Sequence, residues 1–103
     1  MIQHIVMFKF LDSAQGKTKE ENLRKAKARM MALRDQIPQI QGMEVYFGAE
    51  GSAPSNYDYI LVSQFRNMEE LDVYQKHPAH VAFGQFVKEL REPDGRVCID
   101  YEL

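Results

Sequence analysis

The chain has 103 residues, of which 45% are hydrophobic and 27% are charged. This length allows one hydrophobic core and is too short for two ordinary domains, so we predict a single domain over residues 1–103. The formal net charge is -2, from 13 basic and 15 acidic residues. Because these charges are spread along the chain, no basic patch is available for phosphates, and we expect no nucleic-acid partner.

A single cysteine, Cys98, excludes an internal disulfide framework. It stands among residues typical of a strand, and we expect a small buried hydrophobe rather than a catalytic thiol. The first residues lack the basic start and cleavage site of a signal peptide, and no apolar run approaches the length of a membrane span. The sequence therefore predicts a cytoplasmic protein with no membrane contact.

The first half of the chain predicts a strand, a helix and a second strand. Residues 2–10 are rich in Ile, Val and Phe and are apolar on both faces. After the polar turn DSAQGK, Thr18 and Glu21 form a capping box for a helix over residues 18–36. The segment MEVYF then reads as a strand, and the following AEGSAPSN has the composition of a loop.

The second half predicts another strand, a divided helix and a last strand. From Tyr57, the run YDYILVSQF is typical of a strand. Asn67 and Glu70 offer a second capping box for a short helix, which should break near Pro78, where a further helix begins. The turn EPDG leads into a final strand, RVCIDYEL. The predicted order is βαββαβ with a split second helix.

This order predicts an α+β fold of ferredoxin-like topology, an antiparallel sheet with its helices on one face. The first strand is apolar on both sides, with Ile5 and Met7 opposing Val6 and Phe8. A monomer would expose the helix-free face as an apolar patch. We therefore expect a homodimer joined through that face, which forms a dimeric α/β barrel.

The residues best suited to chemistry cluster around the predicted helix break. His77 should cap the new helix and His80 should lie in its first turn, where the helix dipole disfavours protonation of an imidazole. A neutral histidine can act as a general base. Tyr74, one turn before His77, can donate a hydrogen bond to a developing oxyanion. His4, on the first strand, is the third candidate for the same pocket.

Each of these residues also has a structural alternative. His77 is suited to a purely capping role, His80 to that of a core histidine held by one hydrogen bond, and Tyr74 to simple packing. A metal site built from His4, His77 and His80 is another alternative. Because the positive helix end opposes a cation, we expect no metal, and no motif calls for another cofactor.

Four segments resemble, in order and spacing, the stress-responsive A/B barrel domain family, also called Dabb. These segments are HIVMFKF, YDYILVSQF, YQKHPAHVAF and the terminal IDY. The similarity covers essentially the whole chain, and the HPAH run with its flanking Tyr and Phe is the specific part. The resemblance implies a dimeric α+β barrel. It leaves the activity open, since the family also contains stress-associated proteins without established catalysis.

Within the family, the run HPAHVAFG resembles that of plant polyketide cyclase members, which close a polyketide ring by cofactor-free aldol chemistry. The resemblance implies His80 as the general base and Tyr74 as its oxyanion-stabilising partner. It also implies His4 as a pocket residue and Asp100, in the terminal IDY, as the carboxylate that orients His80.

The expected ligand is a small apolar or carbonyl-containing molecule. Five further residues are expected to contact it: Val6, Phe8, Tyr59, His77 and Phe83. The chain departs from the cyclases at two pocket positions, because Tyr59 replaces a histidine of the third strand and Met30 a tyrosine of the first long helix. Because of these two differences, the resemblance does not identify the substrate.

Three functions remain open at this point. The first is a cofactor-free cyclase-like or isomerase-like enzyme in which His80 removes a proton next to a carbonyl, and it predicts a cavity shared by His80, Tyr74 and His4. The second is a non-catalytic stress-responsive or ligand-binding dimer, which predicts no open cavity beside His80. The third is a cofactor-independent monooxygenase, which ranks last because the chain has no tryptophan and no motif that requires oxygen chemistry.

Overall fold

The computed structural model describes residues 1–103 and has the predicted βαββαβ order, with the second helix divided in two. A short hairpin is added before the first helix. In chain order the elements are β1 (Ile2–Phe10), β2 (Ser13–Ala14), β3 (Lys17–Thr18), α1 (Lys19–Gln36), β4 (Gly42–Phe47), β5 (Tyr59–Phe65), α2 (Met68–Lys76), α3 (Pro78–Lys88) and β6 (Arg91–Glu102).

The main sheet contains four antiparallel strands in the order β4-β5-β1-β6. In β1, Ile2 lies opposite Phe65 of β5 and also opposite Glu102 of β6. Burial alternates along β1 and β5, so the helices cover one face of the sheet only. This arrangement confirms the predicted ferredoxin-like α+β fold and leaves β4 and β6 as the edge strands.

The hairpin and α1 follow local sequence signals. Gln15 and Gly16 both have positive φ angles, 54° and 74°, as a type I′ hairpin turn requires. Thr18 then forms the complete capping box with Glu21, because each residue's backbone N–H donates to the other's side-chain oxygen at 3.2 Å. The first helix therefore begins where the sequence predicts it.

The cap of α2 differs from the prediction. Asn67 accepts a hydrogen bond from the Glu70 N–H at 2.9 Å. The Glu70 carboxylate does not return the bond. One of its oxygens lies 3.8 Å from Arg66, and the other is buried without a partner. The second capping box is therefore only half formed.

The last strand begins earlier than predicted. β6 starts at Arg91, so the expected turn over residues 92–95 lies inside the strand. Arg91 still pairs with Phe10 of β1, beyond a register shift between Phe8 and Phe10. The register shift accommodates the turn-forming residues as extra residues of β6, so the strand continues through them.

The core lies between the helices and the sheet, where β1 buries His4, Val6, Phe8 and Phe10. On the opposite face three apolar side chains of β6 remain exposed: Val97, Ile99 and Tyr101. The apolar patch expected on the helix-free face is therefore present. None of the helices combines the length and apolar character needed to cross a bilayer.

The expectation that Cys98 is buried is wrong. Its thiol is free and exposed. Cys98 lies opposite Val6 of β1 and so points to the helix-facing side of the sheet. Because β6 is an edge strand, however, the helices do not cover it completely.

Candidate functional site

A cavity of about 180 Å³ lies between the sheet and the helices, beside β6. Its walls are largely apolar and include Val6, Phe8, Met30, Leu61, Phe83 and Val87. Its polar side chains are His4, Tyr74, His80, Arg91 and Arg96. Three of the predicted catalytic residues, from β1, α2 and α3, therefore line one cavity.

The break between α2 and α3 is set by His77 and Pro78. His77 has the extended dihedrals φ -62° and ψ 135°, ends α2 and caps α3. Its Nδ1 accepts a hydrogen bond from the Ala79 N–H at 3.0 Å, and Pro78 occupies the first helical position. His77 lies outside the cavity lining, so its expected ligand contact is replaced by a capping role.

His80 is held by the end of the preceding helix. Its Nδ1 lies 3.0 Å from the Gln75 carbonyl oxygen. Because a carbonyl only accepts, Nδ1 carries the proton and Nε2 keeps a free lone pair in the neutral ring. Burial lowers the pKa of His80, and the charges of His4, Arg96 and His77 lower it as well. The hydrogen bond to Gln75 raises the pKa, but by less than burial lowers it. The imidazole is therefore a neutral proton acceptor at pH 7.

Tyr74 is buried against the His80 ring, with the ring centroids 4.4 Å apart. Its hydroxyl donates only to the sulfur of Met30 at 3.7 Å, which is a weak acceptor. Burial raises the pKa of the phenol well above its ordinary value, so the hydroxyl stays protonated. Tyr74 can therefore donate a hydrogen bond to a ligand oxygen.

Asp100 orients His4 and not His80, which corrects the expected pairing. His4 and Asp100 are direct register partners of β1 and β6, and His4 Nδ1 donates to the Asp100 carboxylate at 2.5 Å. His80 Nδ1 already donates to Gln75. In each of these two cavity histidines, the Nδ1–H therefore donates to an acceptor that fixes the orientation of the ring.

His4, Cys98 and Asp100 also form a cluster of metal-ligand types, with ligand atoms within 4.8 Å of one another. The Asp100 carboxylate is already bound to His4. Burial raises the pKa of the Cys98 thiol, and the charge of Asp100 raises it further. The cluster therefore contains one strong hydrogen bond, between His4 and Asp100, with a protonated thiol 3.6 Å from His4 Nδ1.

Tyr59 does not line the cavity, although a ligand contact was expected of it. It is buried among aromatic rings, with centroids 5.3 Å from Phe8 and 6.0 Å from Phe10. Its hydroxyl has no hydrogen-bond partner, and burial raises its pKa well above the ordinary value. The other three expected apolar contacts, Val6, Phe8 and Phe83, do line the cavity.

The two arginines of the lining were missed from the sequence. Arg96 lies opposite Phe8 on the helix-facing side of β6. The alternation of Val97, Ile99 and Tyr101 on the other side was the signal that assigns Arg96 to this face. Arg91 reaches the cavity from the irregular start of the strand, which no local pattern indicated.

A larger, open depression of about 520 Å³ lies near Lys9 and Lys19. Four of its five charged groups form ion pairs, and only Glu92 has no ion-pair partner. Asp58 lies 3.7 Å from Lys9 and 3.5 Å from Lys19. Lys9 also donates to the carbonyl oxygens of Pro54 and Asn56 at 2.6 and 2.8 Å. These contacts anchor the loop before β5.

The sequence profile of the Stress responsive A/B Barrel Domain family, Dabb, matches residues 2–103. The chain belongs to this family. A Dabb protein with a ferredoxin-like fold from Mesorhizobium loti is 25% identical, with a TM-score of 0.68, and the match covers 99% of this chain and 95% of that one. The family assignment made from the HPAH run and its flanking segments is confirmed.

Two further solved structures are similar to this chain. A dimeric protein of unknown function with a ferredoxin-like fold from Bacteroides fragilis is 31% identical, with a TM-score of 0.85, over 99% of this chain and 95% of that one. The hydroxynitrile lyase of Passiflora edulis is 12% identical, with a TM-score of 0.78, over 99% and 92% of the two chains. That likeness shows a shared fold alone. No curated protein matches the chain.

Proposed function

We propose that this Dabb protein is a cofactor-free enzyme, cyclase-like or isomerase-like, that removes a proton next to a carbonyl group. The observation that carries the proposal is the contact between His80 and Tyr74 at the wall of the cavity. His80 offers a free, neutral Nε2 and Tyr74 offers a protonated hydroxyl. A base and an oxyanion donor side by side are what enolisation requires.

In the proposed reaction His80 Nε2 takes a proton from the carbon next to the carbonyl. The electron pair of the broken C–H bond forms the C–C double bond of an enolate, whose oxygen accepts a hydrogen bond from Tyr74. Nδ1–H, held by the Gln75 carbonyl, stabilises the imidazolium that forms. If the substrate carries a conjugated double bond, the enolate regains the proton from His80 at the γ-carbon, as in an isomerase; otherwise it attacks a second carbonyl. In the second case His80 returns its proton to the new alkoxide.

His4 supports the proposal as a further polar contact for the ligand. Its ring centroid lies 6.1 Å from that of Tyr74. The hydrogen bond to Asp100 fixes its tautomer and leaves Nε2 as an acceptor on the cavity side of the ring. His4 is therefore suited to receive a hydroxyl of the ligand, while proton removal falls to His80.

The proposed unit is a homodimer joined through the helix-free face of the sheet. An apolar depression on that face is lined by the side chains of Ile5, Met7, Val97 and Ile99. Burying such a patch against a second copy removes it from water. The dimeric state described for the Bacteroides fragilis relative supports a homodimer, and the choice of face rests on the exposed apolar patch. We also retain the sequence-based proposal of a cytoplasmic location, in keeping with a single unpaired cysteine.

A non-catalytic dimer that binds a small ligand is the second candidate. The hydrogen bond from His80 to the Gln75 backbone favours it, because a histidine with a structural role is expected to be satisfied in this way. The open cavity beside His80 is contrary to the closed site expected for this candidate, so only its ligand-binding form remains. Only a test of proton transfer separates the two candidates.

The test is deuterium exchange into simple ketones in heavy water, followed by proton NMR. Cyclohexanone, acetophenone and levulinate are suitable probes because their uncatalysed exchange is slow at neutral pH. The enzyme proposal predicts protein-dependent exchange that the His80→Asn variant loses. If the wild-type protein accelerates exchange into none of the three ketones, the catalytic proposal fails and the binding candidate replaces it.

A further inference from the structure

Arg91 and Arg96 are the only residues of the cavity lining that carry a permanent charge, because the lining contains no Asp, Glu or Lys. Arg96 lies opposite Phe8 on the helix-facing side of β6. Arg96 lines the same cavity as Tyr74 and His80, and its positive charge acts to lower the pKa of both residues. The open side of the cavity is therefore cationic.

Neither arginine is neutralised within the chain, since no ion pair involves Arg91 or Arg96. The Arg91 guanidinium donates to the carbonyl oxygens of Glu92 and Pro93 at 3.0 and 2.9 Å, which holds the group and leaves its charge uncompensated. Asp100, on the same face of β6, is hydrogen-bonded to His4 instead. Arg96, whose guanidinium approaches the Cys98 thiol on the same face, thus keeps an uncompensated charge for a ligand.

We infer that the cavity binds a small oxo-carboxylate, with the ligand's carboxylate on Arg96 and its carbonyl oxygen at Tyr74. The planar guanidinium matches a carboxylate with two parallel hydrogen bonds, and Arg91 adds a second positive charge. The apolar wall, with Val6, Phe83 and Val87 among its residues, accommodates the carbon chain between the two polar ends. This inference deepens the proposed function, and its anion subsite is testable by binding alone.

The size of the cavity limits the ligand. Its volume of about 180 Å³ equals that of about six water molecules at ~30 Å³ each. Sites for drug-sized ligands usually enclose roughly 300–1,000 Å³. The oxo-carboxylate that fits is therefore a short-chain molecule, and a long chain would have to extend past the arginines into solvent.

The experiment compares a carboxylate with its neutral amide. We titrate the 103-residue protein with levulinate and levulinamide, and with the homologous pairs that have two and four more methylene groups. Binding is followed by backbone amide chemical shifts. Because a charge-assisted bond is lost with the amide, we expect at least one carboxylate to bind about tenfold or more tightly than its amide. Arg96→Gln should abolish this preference and Arg96→Lys should retain part of it.

Arg34→Gln is the matched control. Arg34 is exposed on α1, outside the cavity lining, and forms no ion pair, so the variant changes the net charge by the same amount. It should keep the full preference for the carboxylate. Since Arg96 is also exposed, all three variants are expected to fold, which a comparison of Tm values checks. Equal binding of carboxylate and amide by the wild-type protein, no binding of any carboxylate, or an equal loss in Arg34→Gln would each overturn the inference.

The result of this binding experiment can be distinguished from the result of the deuterium-exchange test of the proposed function. His80→Asn removes the base but not the arginines, so it should bind the carboxylates as the wild type does while exchanging no deuterium. If exchange is absent from the wild type and the carboxylate preference persists, the catalytic proposal is lost and the anion subsite stands. If exchange occurs equally with neutral and anionic ketones and no preference in binding is found, the anion subsite is lost and the catalytic proposal stands.

Discussion

The ring of His80 packs against the ring of Tyr74 across the break between α2 and α3, with the centroids 4.4 Å apart. The break itself creates the pair. Pro78 opens a new helix after the extended His77, and His80 comes back over the last turn of α2. There the carbonyl of Gln75 is one of the groups that a helix end leaves unpaired, and it accepts the His80 Nδ1–H.

Replacing His80 by Asn separates proton transfer from structure. The Asn amide can still donate to the Gln75 carbonyl in place of Nδ1, but it has no basic nitrogen. We expect deuterium exchange to fall by about 10²–10⁴ with little change in Tm. His77→Asn is the matched control, since Asn preserves a helix cap, and it should exchange as the wild type does. Undiminished exchange in His80→Asn would assign the base elsewhere.

Replacing Tyr74 by Phe tests the oxyanion donor. The phenyl ring keeps the packing against Phe65, whose centroid is 4.8 Å away, while the donor is lost. Exchange should fall by about 10²–10³. Because the hydroxyl donates only to the weak acceptor in Met30, the free energy of urea unfolding should stay unchanged or rise slightly. A large loss of stability with unchanged exchange would instead indicate a structural hydroxyl.

The rate of exchange should depend on the protonation of His80. Burial holds its pKa below the ordinary value of 6.5, so the neutral base persists to lower pH than an exposed histidine would allow. The rate should therefore stay level through pH 7 and fall only below about pH 6.5. A pH–rate profile measures this, and a midpoint above 6.5 would contradict the assignment.

The same lowered pKa makes stability depend on pH. Below about pH 6.5 the unfolded chain binds a proton at this position that the folded chain resists, so the free energy of unfolding decreases as pH falls toward the folded-state pKa. His80→Asn should have a shallower decrease than the wild type in urea titrations between neutral and acidic pH. Since His4 and His77 are present in both proteins, the difference between the two curves reports His80 alone.

Asp100→Ala should destabilise the protein through His4. His4 is buried, with 1% of its surface exposed, and would lose the acceptor for its Nδ1–H. A buried donor left without a partner costs about 1–3 kcal/mol, measurable by urea unfolding. Asp100→Asn should cost less because its amide oxygen still accepts. Glu102→Ala, on the same face of β6 and exposed, is the control and should change stability little.

A single charged side chain, introduced by Ile99→Asp, tests the proposed dimer interface. Ile99 is 60% exposed in the monomer, on the helix-free face. Placing Asp there would bury an unpaired carboxylate between two copies, so Ile99→Asp should elute as a monomer in size-exclusion chromatography with light scattering. Val81→Asp alters an equally apolar residue, 45% exposed on α3, and should leave the dimer intact. Dissociation by the second variant alone would move the interface to the helices.

The sequence by itself determined the order of elements, the starts of α1 and α3, and the family. These features depend on neighbours close along the chain, such as the reciprocal bonds of Thr18 and Glu21 or the fixed φ of Pro78. The alternating faces of β1 follow from the same local periodicity, and so does the apolar patch on the helix-free face of the sheet.

Only the tertiary structure decided which groups meet in the cavity. Strand register joins Asp100 to His4, and the angle between two helices joins His80 to Gln75. The edge position of β6 exposes Cys98 and turns Arg96 toward the mouth of the cavity, while Tyr59 is enclosed by aromatic neighbours. These pairings join residues through register, edge position and helix packing, all of which arise when the whole chain folds. Local spacing therefore indicated His80 and Tyr74 as candidates, but not the groups that they contact in the folded chain.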